Sequence, residues 1–344
     1  MGYGLWVVAM ALLLSSCLNQ PQKMVLQGLA QGSYYAVTYY DVEGRDFQHE
    51  VDSIFHAVDM SVNLWENNSV ICKVNRNEDV ILDNIFIDNF NIAQKAAELS
   101  GGSFDPTIAP LVEAWGFGAK NGELITENGT PKGSPTEWEV KLIDSLLQLV
   151  DYRKVRIEGD KLVKDNPAMR LDFNAIAQGY TSDLIGAFLE SKGVKNYIVD
   201  VGGEIMARGG KPDGSSWVVG IEKPAADWDS ERVVQERVEV RDKGIVTSGS
   251  YRKYVERDGK RYSHCIDPTT GYPVEHQLLS ATVIAGTSVW ADALASICMV
   301  MGMERSLELI NSMDGVEAYY IFVNDDGELE TFATDGFVLA DSAR

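Results

Sequence analysis

A single acid, Asp292, sits in an apolar run that begins at Leu278, LLSATVIAGTSVWADALASICMVM. A carboxylate among so many apolar neighbours is costly unless a partner neutralises it. Ser296 follows four residues later, one turn along the same face if the run is helical. A carboxylate and a hydroxyl on one face supply hard oxygens, which suit Mg²⁺ better than zinc or copper. The plainer alternative is that Asp292 caps a helix or pairs with a nearby base. Taken alone, this segment favours that alternative.

The surrounding pattern says which elements position the pair. Ser280–Ala285 reads as a strand, and Thr287 or Ser288 can cap a helix that carries Asp292 in its first turns. Ser33–Tyr40 alternates as a strand should, Asp46–Asp59 has helical spacing, and a helix over Ile87–Leu99 stops at Gly101-Gly102. Lys120–Pro135 reads as an exposed loop, followed by a capping box at Thr136-Glu-Trp-Glu139 for a helix to Val150. A hairpin near Lys154–Val163 leads to a strand ending at Leu171–Phe173. Asn174 then caps a helix whose buried stripe is Ile176, Tyr180, Leu184 and Phe188, and Gly193 ends it. Hairpins are expected at Tyr197–Val201 with Ile205–Arg208, at Tyr251–Glu256 with Tyr262–Ile266, and at Ala318–Val323 with Leu329–Phe332. Further strands fall at Ser216–Glu222 and Val233–Val240. Helices and strands mix without regular βαβ alternation or a repeat, so the expected class is α+β with antiparallel strands.

The 344 residues are 45% hydrophobic and 24% charged, ample for a large core. A formal net charge of -21 argues against nucleic acid or an anionic membrane surface as the main partner. Any phosphate-bearing ligand must be held by a metal ion, backbone N–H groups or a few placed cations. The run from Leu5 to Leu14 is too short to span a bilayer but fits a signal-peptide core. Leu14-Ser-Ser-Cys17 resembles a bacterial lipobox, in which Cys17 becomes the lipid-bearing first residue, although no Lys or Arg precedes the apolar core. An uncleaved anchor or a buried N-terminal helix are the alternatives; the small residues directly before the cysteine favour the lipoprotein. Leu18 to about Gly28 then reads as a polar tether. Cys72, Cys265 and Cys298 remain, with spacings that make neither a disulfide framework nor a zinc motif, and buried thiols are expected.

The chain contains no GxxxxGK[ST], HExxH or GxSxG, and Gly116-Phe-Gly118-Ala-Lys-Asn-Gly122 fails the GxGxxG spacing. Several ordered segments instead resemble the ApbE-type FAD:protein FMN transferases. They are Gly101-Gly-Ser-Phe-Asp-Pro-Thr-Ile-Ala-Pro-Leu-Val112 with Trp115-Gly-Phe-Gly118, then Asp172-Phe-Asn-Ala-Ile-Ala-Gln-Gly-Tyr180, then Val199-Asp-Val-Gly-Gly-Glu204. Thr247-Ser-Gly-Ser-Tyr251, His264-Cys-Ile-Asp-Pro-Thr-Thr-Gly271 and Ala291-Asp-Ala-Leu-Ala-Ser296 complete the series. The resemblance implies an ApbE-like fold forming a single catalytic unit over residues 29–344, after a signal peptide at 1–16 and a lipidated cysteine with tether at 17–28. It implies a Mg²⁺-dependent enzyme that moves FMN from FAD onto a threonine hydroxyl of an acceptor protein, typically a membrane redox subunit, and releases AMP. Such an enzyme is lipid-anchored in the bacterial cell envelope and faces the periplasm, touching the membrane through its anchor alone.

Within that resemblance the metal is held by Asp292, Ser296 and the backbone carbonyl of Ala175, with Ser296 standing where threonine is common. Flavin or nucleotide contacts carry over to Gln31, to Trp65, Glu66 and Asn67, to Ser103, Phe104 and Asp105, and to Asp172, Gln178 and Ile266. Gln178 replaces the lysine or glutamate of many relatives. Trp65 stacks on adenine or is a core tryptophan, and Asp105 also reads as a turn or helix cap. His264 accepts the threonine proton or orients the pyrophosphate, or is a structural histidine in a strand. Asp292 is a second base candidate, weakened if it binds metal. Two other functions stand beside the transferase: FAD hydrolysis to FMN and AMP, and a non-catalytic FAD-binding lipoprotein.

Overall fold

Tyr35, Val37 and Tyr39 alternate with less buried neighbours along one nine-residue segment, and all three are buried. That period of two makes a strand with one face on the core. The computed structural model of the chain describes residues 20–119, 137–224, 233–250, 254–257 and 260–340. In chain order its elements are β1 (Gln22–Ala30), β2 (Ser33–Asp41), α1 (Gln48–Val62), α2 (Val70–Asn75), α3 (Asn84–Leu99), α4 (Ala109–Ala114), α5 (Glu137–Leu147), β3 (Val155–Glu158) and β4 (Lys161–Lys164). They continue with α6 (Ala177–Ser191), β5 (Tyr197–Val201), β6 (Glu204–Arg208), β7 (Trp217–Glu222), β8 (Val234–Val240), β9 (Lys243–Gly249), β10 (Tyr254–Arg257), β11 (Lys260–Ser263), β12 (Leu278–Ala285), α7 (Ser288–Met301), α8 (Met303–Asn311), β13 (Glu317–Val323) and β14 (Leu329–Ala333).

One sheet runs β1-β2-β5-β6-β9-β12-β13-β14, every neighbouring pair antiparallel. The fold is therefore α+β, as expected. Helices α1 and α6 cover β2 and β5, with Phe55, Ile185 and Leu189 against Tyr35, Val37 and Val199. The largest core joins α3 and α7 to β12 and β13. Alternation sends Val246 and Tyr320 to that side and their neighbours Ile245 and Tyr319 to the other. There the β7-β8 ribbon closes over them with Trp217, Val238 and Val240. No helix among the described residues is long and apolar enough to cross a membrane.

Several elements depart from their sequence-based expectation. The segment read as a tether becomes β1 from Gln22 onward; as an edge strand it buries only Leu26, so its sequence shows no clean alternation. Leu171–Phe173 is not a strand. The chain there makes one parallel bridge, Arg170 with Ile108, and Asp172 N–H donates to the Pro106 carbonyl (2.8 Å), while between them Leu171 N–H donates to Asn75 Oδ1 (2.7 Å) and Asn75 Nδ2 donates to the Leu171 carbonyl (2.9 Å). Asn174 does not cap α6, which starts at Ala177 after Ile176 with no side-chain cap. The buried face of α6 is Gly179, Thr181, Ser182, Ile185, Gly186 and Leu189, displaced from the expected stripe because small residues let this helix approach its neighbours closely. β9 gave no strand signal, since Gly244 and Thr247-Ser-Gly249 dilute it. Gly244 is needed there: a methyl group would stand 2.3 Å from the Thr287 carbonyl carbon. Ile266 lies outside β11 and pairs only as a single bridge with Pro273. Tyr251, the expected loop at Lys120–Pro135, the Thr136 cap and Cys17 lie outside the described residues.

Candidate active site

The start of α7 is fixed from two sides. Thr287 is its N-cap, its hydroxyl accepting from Trp290 N–H (3.4 Å). Asp183 on α6 accepts from the N–H groups of Ser288 and Val289, each at 2.9 Å. Two amides at a helix start are thus satisfied by a carboxylate, which the helix dipole also favours. Burial nevertheless pushes the Asp183 carboxyl up to about 6. These contacts aim the next turn of α7, and with it Asp292, toward α6.

Asp292 is 5% exposed. Burial first, then repulsion from the Glu204 carboxylate, raises its carboxyl well above the ordinary range; the Gly179 hydrogen bond opposes this in part. Gly179 N–H donates to Asp292 Oδ2 (3.2 Å) rather than to the carbonyl one turn back, that of Ala175. The approach requires glycine, because a methyl group at 179 would lie 2.8 Å from the Ser288 carbonyl oxygen and 2.9 Å from Asp292 Cβ. Asp292, Ser296 and Ala175 all line one cavity. The donor set is all oxygen, and a dication would relieve the repulsion between Asp292 and Glu204; it fits Mg²⁺. Among the described residues no group of three or more His, Cys, Asp or Glu is placed to hold a metal.

The cavity has a volume of about 1070 Å³. Its wall includes His264, Gln31, Trp65, Ser103, Phe104 and Asp105, together with Asp172, Gln178 and Ile266. Glu66 and Asn67 are not part of it. The Glu66 carboxylate accepts from Asn68 N–H (2.9 Å) and the Asn67 carbonyl from Arg76 (3.0 Å), so both shape the turn after Trp65. Trp65 itself is 60% exposed at the cavity edge, which removes the core-tryptophan reading. Gln31 occupies the two-residue β1-β2 turn with φ +51, and Gly32 follows at +73, the positive pair that a twist-matched hairpin requires. Its Nε2 donates to Thr181 (3.0 Å), while its Oε1 is buried with no hydrogen-bond partner.

Other residues are already engaged. Asp105 accepts from Thr107 N–H (2.8 Å), Thr107 Oγ1 (2.6 Å) and Tyr152 N–H (2.9 Å), so it organises its own turn. Burial raises its carboxyl despite those bonds. Asp172 accepts from Asn174 N–H (2.7 Å), and burial pushes its carboxyl up to about 6. Ser103 receives a long bond from Arg305 (3.4 Å). His264 packs edge-on to Phe117, ring centroids 6.2 Å apart, just past β11 rather than in a strand. Cys265 also lines the cavity, unlike Cys72 and Cys298, which are buried as expected; the three are free thiols.

Sequence reasoning missed Asp183 and gave Glu204 and Asp200 no role. Glu204 opens β6 directly after Gly202-Gly203 and repels Asp292. Asp200 receives Gly203 N–H (2.9 Å) and so holds the β5-β6 turn. Gly202, at φ +73, leaves room that a methyl would fill, 2.7 Å from Gln178 Nε2 and 3.1 Å from both Glu204 Oε2 and Ser33 Oγ. The signal available in the sequence was an acid beside paired glycines.

The charge of the wall constrains its ligand. Seven acids line the cavity (Asp59, Asp105, Asp172, Asp200, Glu204, Glu222 and Asp292), with no Lys or Arg among the described lining residues. A bare phosphate would be repelled, whereas a phosphate arriving with a dication is accommodated.

Residues 31–320 match the sequence profile of the ApbE family. The chain is 34% identical to the FAD:protein FMN transferase of Vibrio cholerae over 96% of its own length and 97% of that protein. It is 32% identical to the Haemophilus influenzae protein of the same name, over 94% of its own length and 93% of that one. A solved structure titled flavin transferase ApbE from Vibrio cholerae superposes with a TM-score of 0.79 at 31% identity, covering 92% of this chain and 98% of that one. The apo flavinyl transferase ApbE of Pseudomonas stutzeri gives 0.78 at 32% identity, covering 92% and 96%.

Proposed function

The chain belongs to the ApbE family, and we propose from this that it transfers FMN from FAD to a threonine hydroxyl of an acceptor protein, releases AMP and requires Mg²⁺. The observation that carries the proposal is the junction of α6 and α7: Gly179 N–H is turned onto Asp292, and Asp292, Ser296 and Ala175, which offer a carboxylate, a hydroxyl and a backbone carbonyl, share an acidic cavity wall. Those three groups would hold the ion. When bound, Mg²⁺ supplies charge neutralisation and Lewis acidity at the diphosphate.

The remaining work falls to the chain. Trp65 offers an exposed ring at the cavity edge on which adenine stacks. The glycines of the β5-β6 turn let the backbone come close to phosphate, and Gln178 offers an amide N–H₂ beside them. In the reaction the acceptor oxygen bonds to the flavin-side phosphorus and the bond from that phosphorus to the bridging oxygen breaks. AMP leaves with that oxygen, and the hydroxyl proton passes to His264 or to solvent. An imidazole is a side chain chemically suited to accept that proton. Positioning of the hydroxyl in line with the leaving oxygen supplies much of the acceleration.

The same proposal includes a membrane redox subunit as acceptor and Cys17 as a lipid attachment point that holds the domain at the periplasmic face of the envelope. The test is mass spectrometry of acceptor after incubation with FAD and Mg²⁺, with AMP measured alongside. Covalent FMN on threonine with equimolar AMP is the expected result, lost in Asp292→Asn. AMP release at the same rate without acceptor, and no labelled protein, would replace the transferase by a hydrolase.

A further inference from the structure

Five successive residues of β7, Val218, Val219, Gly220, Ile221 and Glu222, line the cavity. A strand that presents one face to a space contributes every second residue, because its side chains alternate. An unbroken run means that the edge of the strand, with its backbone, borders the cavity. Among the described residues β7 pairs with β8 alone. Apart from that ladder, residues 218–221 make no backbone hydrogen bond among the described residues. In an antiparallel ribbon alternate residues direct N–H and C=O away from the partner strand, so this border is a row of donors and acceptors with no partner among the described residues.

The side chains around that edge are apolar and open. Val218 is 46% exposed and lines the cavity. Tyr34 and Trp65, also exposed, stand on the same cavity. Exposed apolar groups beside a free strand edge are the features of a site that binds an extended polypeptide by strand addition.

We propose that the free edge of β7 is the docking strand for the acceptor: an extended acceptor segment adds beside it and lays its hydroxyl-bearing residue into the cavity. This rests on the transferase reading, which requires a protein hydroxyl to enter the space that β7 borders. It goes further by assigning the recognition to backbone pairing, with acceptor side chains on one face meeting Val218. Recognition of that kind tolerates varied side chains around the target residue.

The experiment uses the unaltered full chain. Extract of the source cells is incubated with FAD and Mg²⁺, the FMN-bearing polypeptide is identified by mass spectrometry, and the segment around the modified residue is synthesised. Peptides methylated at one backbone nitrogen each, position by position, are then tested as acceptors. Removal of one ladder hydrogen bond lowers transfer by about tenfold. The proposal predicts that losses of this size fall at every second position over at least four residues. Loss at no position, at all positions, or only at the modified residue overturns strand addition while leaving the transferase reading intact. A chain that labels no polypeptide overturns that reading and this inference with it.

Discussion

Replacing Gly179 with alanine tests how α6 sets the position of Asp292. At an open helical position the change would stabilise the fold by about 0.5–1 kcal/mol, since glycine weakens helices. Here the new methyl carbon lands 2.8 Å from the Ser288 carbonyl oxygen and 2.9 Å from both Val289 Cα and Asp292 Cβ. Carbon atoms rest comfortably at about 3.5 Å, so the two helices must part by about 0.6 Å at their crossing. Two of the three obstacles are backbone, which no rotamer change relieves. Overpacking of this kind costs about 1–3 kcal/mol and outweighs the gain in propensity. The same displacement stretches the Gly179 N–H···Asp292 bond, already 3.2 Å, past useful length. Urea unfolding and calorimetric Mg²⁺ titration of both proteins form the assay. We expect a lower midpoint at unchanged slope, a net loss of about 1–2 kcal/mol, and Mg²⁺ affinity weakened by at least about tenfold. A variant more stable than the parent, with the same affinity, would refute the close crossing and its role in holding Asp292.

Gly244→Ala meets the backbone of Thr287 and Ser288 at 2.3–2.4 Å and is expected to cost about 3 kcal/mol, read as a fall in melting temperature. Trp65→Ala should leave stability unchanged, the ring being 60% exposed, and weaken FAD binding by about tenfold in a fluorescence titration. Hydrogen bonds from the Arg45 guanidinium hold the Asp41 carboxyl down to about 2. A depressed carboxyl contributes stability that is complete above its unfolded value, about 4, and lost as pH falls through about 2. With the half-exposed arginine discounted, that is about 1–2 kcal/mol. Unfolding free energies of Asp41→Asn should therefore fall less than those of the parent between those two pH values; parallel curves would remove the pair from the acid response.

Much of this architecture was legible because the signals were local. Alternation at Tyr35, Val37 and Tyr39 marked β2, and Thr287 marked the start of α7. The turn of α7 that carries Asp292 and Ser296 followed from spacing alone. What escaped depended on tertiary partners. β1 buries a single residue, so only its pairing with β2 makes it a strand. Leu171 looks like a strand residue because it is apolar, yet its partner is the side chain of Asn75, distant in sequence. The buried face of α6 is written in glycine, serine and threonine, which carry no hydrophobic signal. The residues proposed for the metal were named by resemblance, but the Gly179 amide on Asp292 and the Asp183 cap depend on the crossing of two helices, which no single segment encodes.

The proposed chemistry requires a divalent ion held between α6 and α7. Crystals grown with FAD and Mn²⁺, examined by anomalous scattering, test that directly. The predicted result is a peak at about 2.0–2.6 Å from an Asp292 carboxylate oxygen, the Ser296 hydroxyl and the Ala175 carbonyl, with the FAD diphosphate completing the shell. FAD bound with no manganese at those three atoms, or with manganese elsewhere in the cavity, would contradict it.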